Sequence, residues 1–477
     1  MKQLEADLVI IAAGTAGLAA AVAAAENGAR VIAFEKLNRA GGTAVMGSGI
    51  FAVESRLQRV KHFQFTREEA FKLYMDYTHW RVNARLVSAF INKSASTVDW
   101  LEKMGVEFLD VTSHGLGNKH TQHTVKGPDM GPGSGPSQIG PASAMMKILA
   151  ERAQQLGVKI FLKTPVQKII MEKGHVTGVL ARDENGNEIQ AQAKAVIIAT
   201  GGYGAPTPGL PSVTGDGIRM AQDAGADAID KPPEPARGGN PPPPGRFYTV
   251  SYTFQQPNLM VNLSGERFMN EEIKENGVYS GNAIAQQENK CAFTIFDEDT
   301  KNNYIENGLD ILSGGIQVPI QDAKDFDKEM EQILAKGSDN YFVADSLKEL
   351  AEKTGINLKG LSATLKEYNK ASETGRDDIF HKQARYLRLV NKPKFYAGKS
   401  GGSTTDKWYG IKINHNTEVL TTDNRVIPGL YAVGMEVGRN IFYDDYPMML
   451  PATAMGFCIN SGRIAGENAA KYIETQK

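Results

Sequence analysis

Apolar positions in the opening stretch run in a strand–helix–strand order. Leu8-Val9-Ile10-Ile11 is a β-branched run that suits a fully buried strand and is too short for a buried helix. Ala13-Gly14-Thr15-Ala16-Gly17 turns the chain into an alanine-rich helix that Gly28 closes, and Arg30–Phe34 is the next strand, with Glu35 at its end. Residues 66–104 read as two amphipathic helices and 112–142 as a Gly/Pro-rich loop holding His114, His120 and His123. A helix over 142–156 leads to a strand at 158–162. Two β-rich segments follow, turned by Asp183-Glu184-Asn185-Gly186-Asn187, and they end in the buried strand Ala195–Ala199. Gly215-Asp216-Gly217 opens another helix.

Seven prolines in residues 231–245 are stiff and unsuited to a core, so this stretch reads as a domain crossing or a decorated surface loop. The chain then changes character, with strands around 258–269 and 292–297 and charged helices over 322–335, 344–354 and 359–371. Residues 427–434 return to a buried strand and turn. A closing helix over 452–473 carries small residues on one face.

A length of 477 residues implies two or three domains. Net charge of −1 argues against nucleic acid or an acidic membrane as partner. Cys291 and Cys458 stand far apart, in no metal-ligand spacing and with no disulfide framework, and the expectation is no metal. No leader or apolar membrane window is evident, which sets the expectation of a soluble, cytoplasmic protein without a membrane span.

The βαβ unit carries the clearest chemistry. Gly14 and Gly17 hold two of the three places of a dinucleotide fingerprint, and Ala12 stands at the first. A pyrophosphate can approach bare backbone at Gly14 and rest on the helix N-terminus. Glu35, 21 residues after Gly14, is placed to accept hydrogen bonds from a ribose. Gly41-Gly42-Thr43 lets backbone approach a second part of a large cofactor. The turn after Ala195–Ala199 runs into Ala205-Pro206-Thr207-Pro208, where no helix can start, so a second nucleotide site is not expected.

These landmarks resemble the fumarate reductase/succinate dehydrogenase flavoprotein family, which includes 3-ketosteroid Δ1-dehydrogenases and reductases of conjugated double bonds. The resemblance rests on the fingerprint with Glu35, on Gly41-Gly42, Ala199-Thr200-Gly201-Gly202 and Thr214-Gly215-Asp216-Gly217. It extends through Gly265-Glu266-Arg267-Phe268-Met269-Asn270-Glu271, Pro428–Ala432 and Ser461–Glu467. It implies an α/β fold with a Rossmann-type, glutathione-reductase-like FAD-binding domain, discontinuous over 1–235 and 395–477, and an α+β capping domain inserted over 236–394. FAD contacts are implied for Gly14, Ala16, Gly17, Glu35, Lys36, Gly41, Gly42, Thr43, Val166, Thr200, Gly201, Gly202, Asp216, Gly434 and Glu436. Thr43-Ala44-Val45-Met46 holds no histidine for a covalent link, so the FAD is expected to be non-covalent.

Departures from the family shape the chemistry. The position matching the family's proton-donating arginine is Glu275, and its relay pair falls at Ser251 and Phe254. Residues 230–258 lack the first substrate histidine, and Thr404-Thr405-Asp406 stands at the second. The C-terminal substrate arginine gives way to Phe442–Pro451. A dicarboxylate needs fixed cations, so fumarate and succinate are rejected as substrates. Tyr446-Pro447 resembles the Tyr-Pro of the ketosteroid dehydrogenases, and a phenol with pKa near 10 can give a proton at neutral pH. Met448, Met449 and Leu450 offer an apolar wall for a flat ring system, unless this loop simply packs on the sheet. The catalytic candidates are Tyr446, then Tyr443, Glu275 and His123. Arg439 is a surviving cation.

The expected activity is FAD-dependent reduction of a C=C bond conjugated to a carbonyl in a small hydrophobic, phenolic or steroid-like substrate, with an external electron donor or acceptor. The alternatives are a dehydrogenase forming that bond and a non-catalytic electron-carrying flavoprotein.

Overall fold

The computed structural model describes residues 2–113, 117–128, 140–203, 213–232, 248–311, 322–402 and 408–476. His114, Thr404–Asp406 and the proline-rich stretch from residue 233 onward lie outside them. Two compact units emerge: residues 1–113, 118–233 and 407–477 form one, and 114–117 with 234–406 form the other.

At the centre of the first unit is a six-stranded sheet ordered Glu418–Leu420, Val426–Ala432, Ala195–Ile198, Leu8–Ile11, Val31–Phe34, Lys159–Phe161. All neighbours are parallel except the first pair. Leu8 faces Val31 and Ala195 across the ladder, and Ile11 faces Phe34 and Ile198. Leu8–Ile11 is covered on both faces, which is why it is an unbroken apolar run rather than an alternating one. Helix Thr15–Glu26 crosses from this strand to the next and packs along helix Thr453–Thr475. Small residues make that approach possible. A Cβ on Gly462 would stand 2.2 Å from the Ala16 carbonyl oxygen, and one on Gly466 would stand 2.4 Å from that of Ala20. The small face expected for residues 452–473 is therefore a backbone-to-backbone contact.

A four-stranded sheet of Lys2–Glu5, Glu188–Gln192, His175–Arg182 and Val166–Glu172 adjoins it in the same unit. Its hairpin turn is closed by Asp183 Oδ1, which accepts from the amides of Asn185 at 3.0 Å and Asn187 at 2.8 Å. Helices Arg67–Tyr77 and Ala84–Lys103 occupy the stretch read as two amphipathic helices.

The second unit is built on an antiparallel sheet ordered Leu259–Val261, Cys291–Asp297, Phe395–Gly401, Tyr341–Ala344. Phe254, Phe296, Phe326, Tyr341 and Tyr396 form its aromatic core. Phe395–Gly401 lies between two strands of this sheet, pairing with Cys291–Asp297 and Tyr341–Ala344. The second unit therefore continues beyond residue 394, where the inserted domain is expected to end.

The strand expected over 258–269 is also shorter. It ends at Val261 because Asn262–Glu266 turns tightly, with Gly265 left-handed at φ 79°.

Candidate functional site

A cleft opens in the first unit at the carboxyl ends of the parallel strands, the usual binding edge of an α/β sheet. It holds about 880 Å³ of empty space counting its open mouth, which is the scale of a small-molecule or cofactor site. Gly14, Ala16, Glu35, Lys36, Gly42, Thr43, Val166, Thr200, Gly201, Asp216 and Gly434 all line it. Gly17, Gly41, Gly202 and Glu436 are not among the lining residues.

Each part of the wall has a local cause. Ala12, at the missing glycine of the fingerprint, takes the left-handed conformation at φ 81°, so the turn survives at a strain cost. Gly17 has no Cβ, and one built there would sit 2.0 Å from the Ala12 carbonyl oxygen. Helix Thr15–Glu26 starts at Gly14 with no side chain capping its first amides, leaving donors aimed at an anion. Gly41 is left-handed at φ 107°, and its amide donates to the Ala13 carbonyl at 2.8 Å. This brings Gly42 against Gly14, where a Cβ would lie 3.1 Å from the Gly14 Cα.

Glu35 is almost fully buried. Its Oε2 accepts from the Ala13 amide at 2.9 Å and its Oε1 from the Leu37 amide at 2.8 Å. Both oxygens keep a further lone pair toward the cleft. Across the mouth, Lys36 Nζ donates to Asp216 Oδ2 at 2.6 Å and to Thr214 Oγ1 at 3.1 Å.

Glu436 is fully buried behind the Thr200–Gly202 turn. Burial pushes its carboxyl up to about 7, against the lowering pull of the Thr200 hydroxyl and the amides of Thr200, Gly201 and Gly202. None of these reaches good hydrogen-bond geometry with either oxygen. Cys458 and Met435 also line the cleft. Burial pushes the Cys458 thiol up to about 12, so it is an apolar wall and not a nucleophile. Sequence reasoning passed over both, because a cysteine and a methionine in apolar runs carry no motif.

Tyr446 is half-buried with its ring 5.0 Å from that of Phe442. Its hydroxyl oxygen accepts from the Ala454 amide at 3.1 Å, at the start of helix Thr453–Thr475. Ala454 lies one helical turn before Cys458, which lines the cleft. Tyr443 is 37% exposed and left-handed at φ 54°, with the Arg81 guanidinium 4.4 Å over its ring.

Other candidates lie elsewhere. His123 is fully buried, its Nδ1 bonded to the Thr121 carbonyl at 3.1 Å and its Nε2 to Ser55 Oγ at 2.6 Å. Burial lowers it to about 4, so it is neutral and tied to the Ser55 cap of helix Arg56–Val60. Both ring nitrogens are thereby engaged away from any ligand. His120 stacks on Phe63 at 4.0 Å. Arg439 pairs with Asp227 at 2.9 Å.

Glu275 belongs to the second unit, half-buried at the end of the turn Glu271–Glu275. Beside it, half-buried Lys274 donates to the carbonyls of Phe254 at 2.7 Å and Gln256 at 2.9 Å and to Thr294 Oγ1 at 2.8 Å. Arg267 is locked between Glu271 and Asp377, at 2.9 Å to each. Among the described residues there is no cluster able to hold a metal and no helix long and apolar enough to cross a membrane.

Residues 7–440 match the FAD binding domain family. The chain is 31% identical to vinyl phenol reductase of Lactiplantibacillus plantarum over 498 residues, covering 98% of this chain and 97% of that one. It is 25% identical to 3-oxosteroid 1-dehydrogenase of Mycolicibacterium smegmatis, over 98% of each. The open conformation of a flavocytochrome c3 fumarate reductase superposes with a TM-score of 0.67 at 25% identity, covering 98% of this chain and 79% of that one. An uncapped helix N-terminus, facing glycines that leave room for a diphosphate, and a buried acid at the ribose position all fit FAD.

Proposed function

This chain belongs to the FAD binding domain family and is an FAD-dependent oxidoreductase of the fumarate reductase type acting on C=C or CH–CH bonds, and from that premise we propose that it reduces the conjugated C=C bond of a small phenolic substrate. The observation that carries the proposal is the Tyr446 hydroxyl on the Ala454 amide, in the helix whose Cys458 lines the cleft. Reduced FAD, when bound, supplies the hydride for one carbon of the double bond. Tyr446 gives the proton to the other carbon, and the charge left on its oxygen is met by an amide already donating to it and by the positive end of the closing helix. Solvent returns the proton. Two electrons and two hydrogens enter the substrate, so the step balances.

The uncapped start of helix Thr15–Glu26 and the Gly14–Gly42 approach would hold the diphosphate of FAD, and Glu35 the ribose. Lys36 and Asp216 would close over the mouth. Met448 and Met449, close after Tyr446 and partly exposed, suit a flat aromatic ring, whereas Leu450 is fully buried in the core and offers it no wall. A similar relative named for vinyl phenol supports that class of substrate. The test is anaerobic stopped-flow of dithionite-reduced enzyme against 4-vinylphenol, hydroxycinnamates, isoflavones, steroid enones and fumarate. Flavin reoxidation is expected with a phenolic alkene and not with fumarate; reoxidation by fumarate alone would sink the proposal.

The likeness to 3-oxosteroid 1-dehydrogenase favours one second reading, dehydrogenation of a cyclic ketone by the oxidised enzyme. Bleaching of the oxidised flavin by a saturated 3-oxosteroid would select it.

A further inference from the structure

Residues 441–446 are gripped from one side by the turn joining helices Arg67–Tyr77 and Ala84–Lys103. Arg81 is the centre of the grip. Its guanidinium pairs with Asp444 and lies 4.4 Å over the Tyr443 ring. His79 Nδ1 bonds Asp445 Oδ2 at 3.1 Å, the Tyr74 hydroxyl donates to the Ile441 carbonyl at 2.7 Å, and the Asn83 amide donates to the Asn440 carbonyl at 2.9 Å. Both partners of the grip are strained. His79, Trp80 and Tyr443 all hold left-handed backbone at φ 51°, 58° and 54° without being glycine. Such residues persist where their surroundings force them, a pattern that collects at functional sites.

Charge makes the grip one-sided. The Asp444 side chain is only 10% exposed and its Oδ1 makes no hydrogen bond, so Arg81 is what compensates it. Asp445, also mostly buried, follows directly. Without Arg81, two adjacent carboxylates would repel each other immediately before Tyr446. We propose that Arg81, seconded by His79, is a positioning residue that fixes the Tyr443–Tyr446 segment so that the Tyr446 hydroxyl stays on the Ala454 amide. The role rests on the assignment of Tyr446 as proton donor. Arg81 touches neither cofactor nor substrate in this role.

The test uses Arg81→Ala and Arg81→Lys in the FAD-loaded enzyme. Amide hydrogen exchange across residues 441–448 should quicken in Arg81→Ala, while flavin content stays at the wild-type level. Unchanged exchange overturns the clamp whatever the substrate proves to be. With 4-vinylphenol and reduced methyl viologen, kcat of Arg81→Ala should fall about tenfold or more with little change in KM, as a misplaced proton donor requires. Because Arg81 is half exposed, added guanidinium ion has access to the vacated place and should restore part of the rate, whereas Arg81→Lys should recover little of it.

The double variant Arg81→Ala/Tyr446→Phe separates this inference from the functional reading. It should be no slower than Tyr446→Phe alone. Losses that multiply, or a wild-type kcat in Arg81→Ala, overturn the clamp and leave the Tyr446 assignment standing. A full rate in Tyr446→Phe takes down both.

Discussion

Tyr446 carries the sharpest expectation at the scale of single residues. Tyr446→Phe removes one hydroxyl from a half-buried ring whose packing on Phe442 is unchanged, so fold and FAD should be retained. Turnover should fall about 10²-fold or more, the usual worth of a positioned acid. Glu275→Gln should cost much less, because Glu275 belongs to the second unit and is not among the residues lining the cleft. Steady-state rates of the two variants, each corrected for flavin content, decide between them. Glu436 gives a pH dependence instead. Its folded carboxyl titrates near 7 and its unfolded one near 4.5, so between these values the folded chain holds the extra proton. Stability is therefore lost as pH rises through that window, by roughly 3 kcal/mol at most. In FAD-stripped protein, Glu436→Gln should melt progressively higher than wild type from pH 5 to pH 8. A melting difference that does not vary with pH would refute the assignment.

At the scale of elements, the nucleotide-binding turn is only as firm as the helix pair behind it. Gly462→Val would drive a side chain into the Ala16 carbonyl, 2.2 Å from even a Cβ, and displace helix Thr15–Glu26 with its open amides. Overpacking of this kind costs about 1–3 kcal/mol. The variant should show both a lower melting temperature and a lower ratio of flavin to protein absorbance. Loss of stability with full flavin content would mean that the helix pair does not position the cofactor. This contact also shows what the sequence makes legible. The glycines and alanines of 452–473 announce a close approach, but nothing local says that the other side is residues 15–26. Leu8–Ile11, Glu35 and Gly41–Gly42 are readable because each has a partner close in sequence, at Val31–Phe34, Ala13 and Gly14. Phe395–Gly401 is not, since its ladder partners are Cys291–Asp297 and Tyr341–Ala344. The burial of His123 is not legible for a related reason: the strand Gln122–Val125 that buries it is visible only through its pairing with Gly49–Phe51.

For the whole molecule, the decisive quantity is how the chain retains its cofactor. The expected absence of a covalent link means that acid precipitation should leave the yellow colour in the supernatant, and a yellow pellet would contradict it. Retention then depends on surfaces drawn from distant parts of the chain: Gly14 and Glu35 from one end, Thr200 and Asp216 from the middle, Gly434 and Cys458 from the other end.

That distribution has a consequence for synthesis. The strand Val426–Ala432 and the helix Thr453–Thr475 complete the sheet and the helix pair of the first unit, so an emerging polypeptide cannot close its nucleotide cleft until about residue 475 has left the ribosome. Of the apolar strands Leu8–Ile11, Val31–Phe34 and Ala195–Ile198, the last must wait for Val426–Ala432, and its unpaired edge is adhesive in the meantime. The second unit, nearly contiguous over 234–406, has its whole sheet available much earlier. Free FAD has nothing complete to bind until helix Thr453–Thr475 has emerged, and yield of active protein should be governed by chaperone supply during that delay.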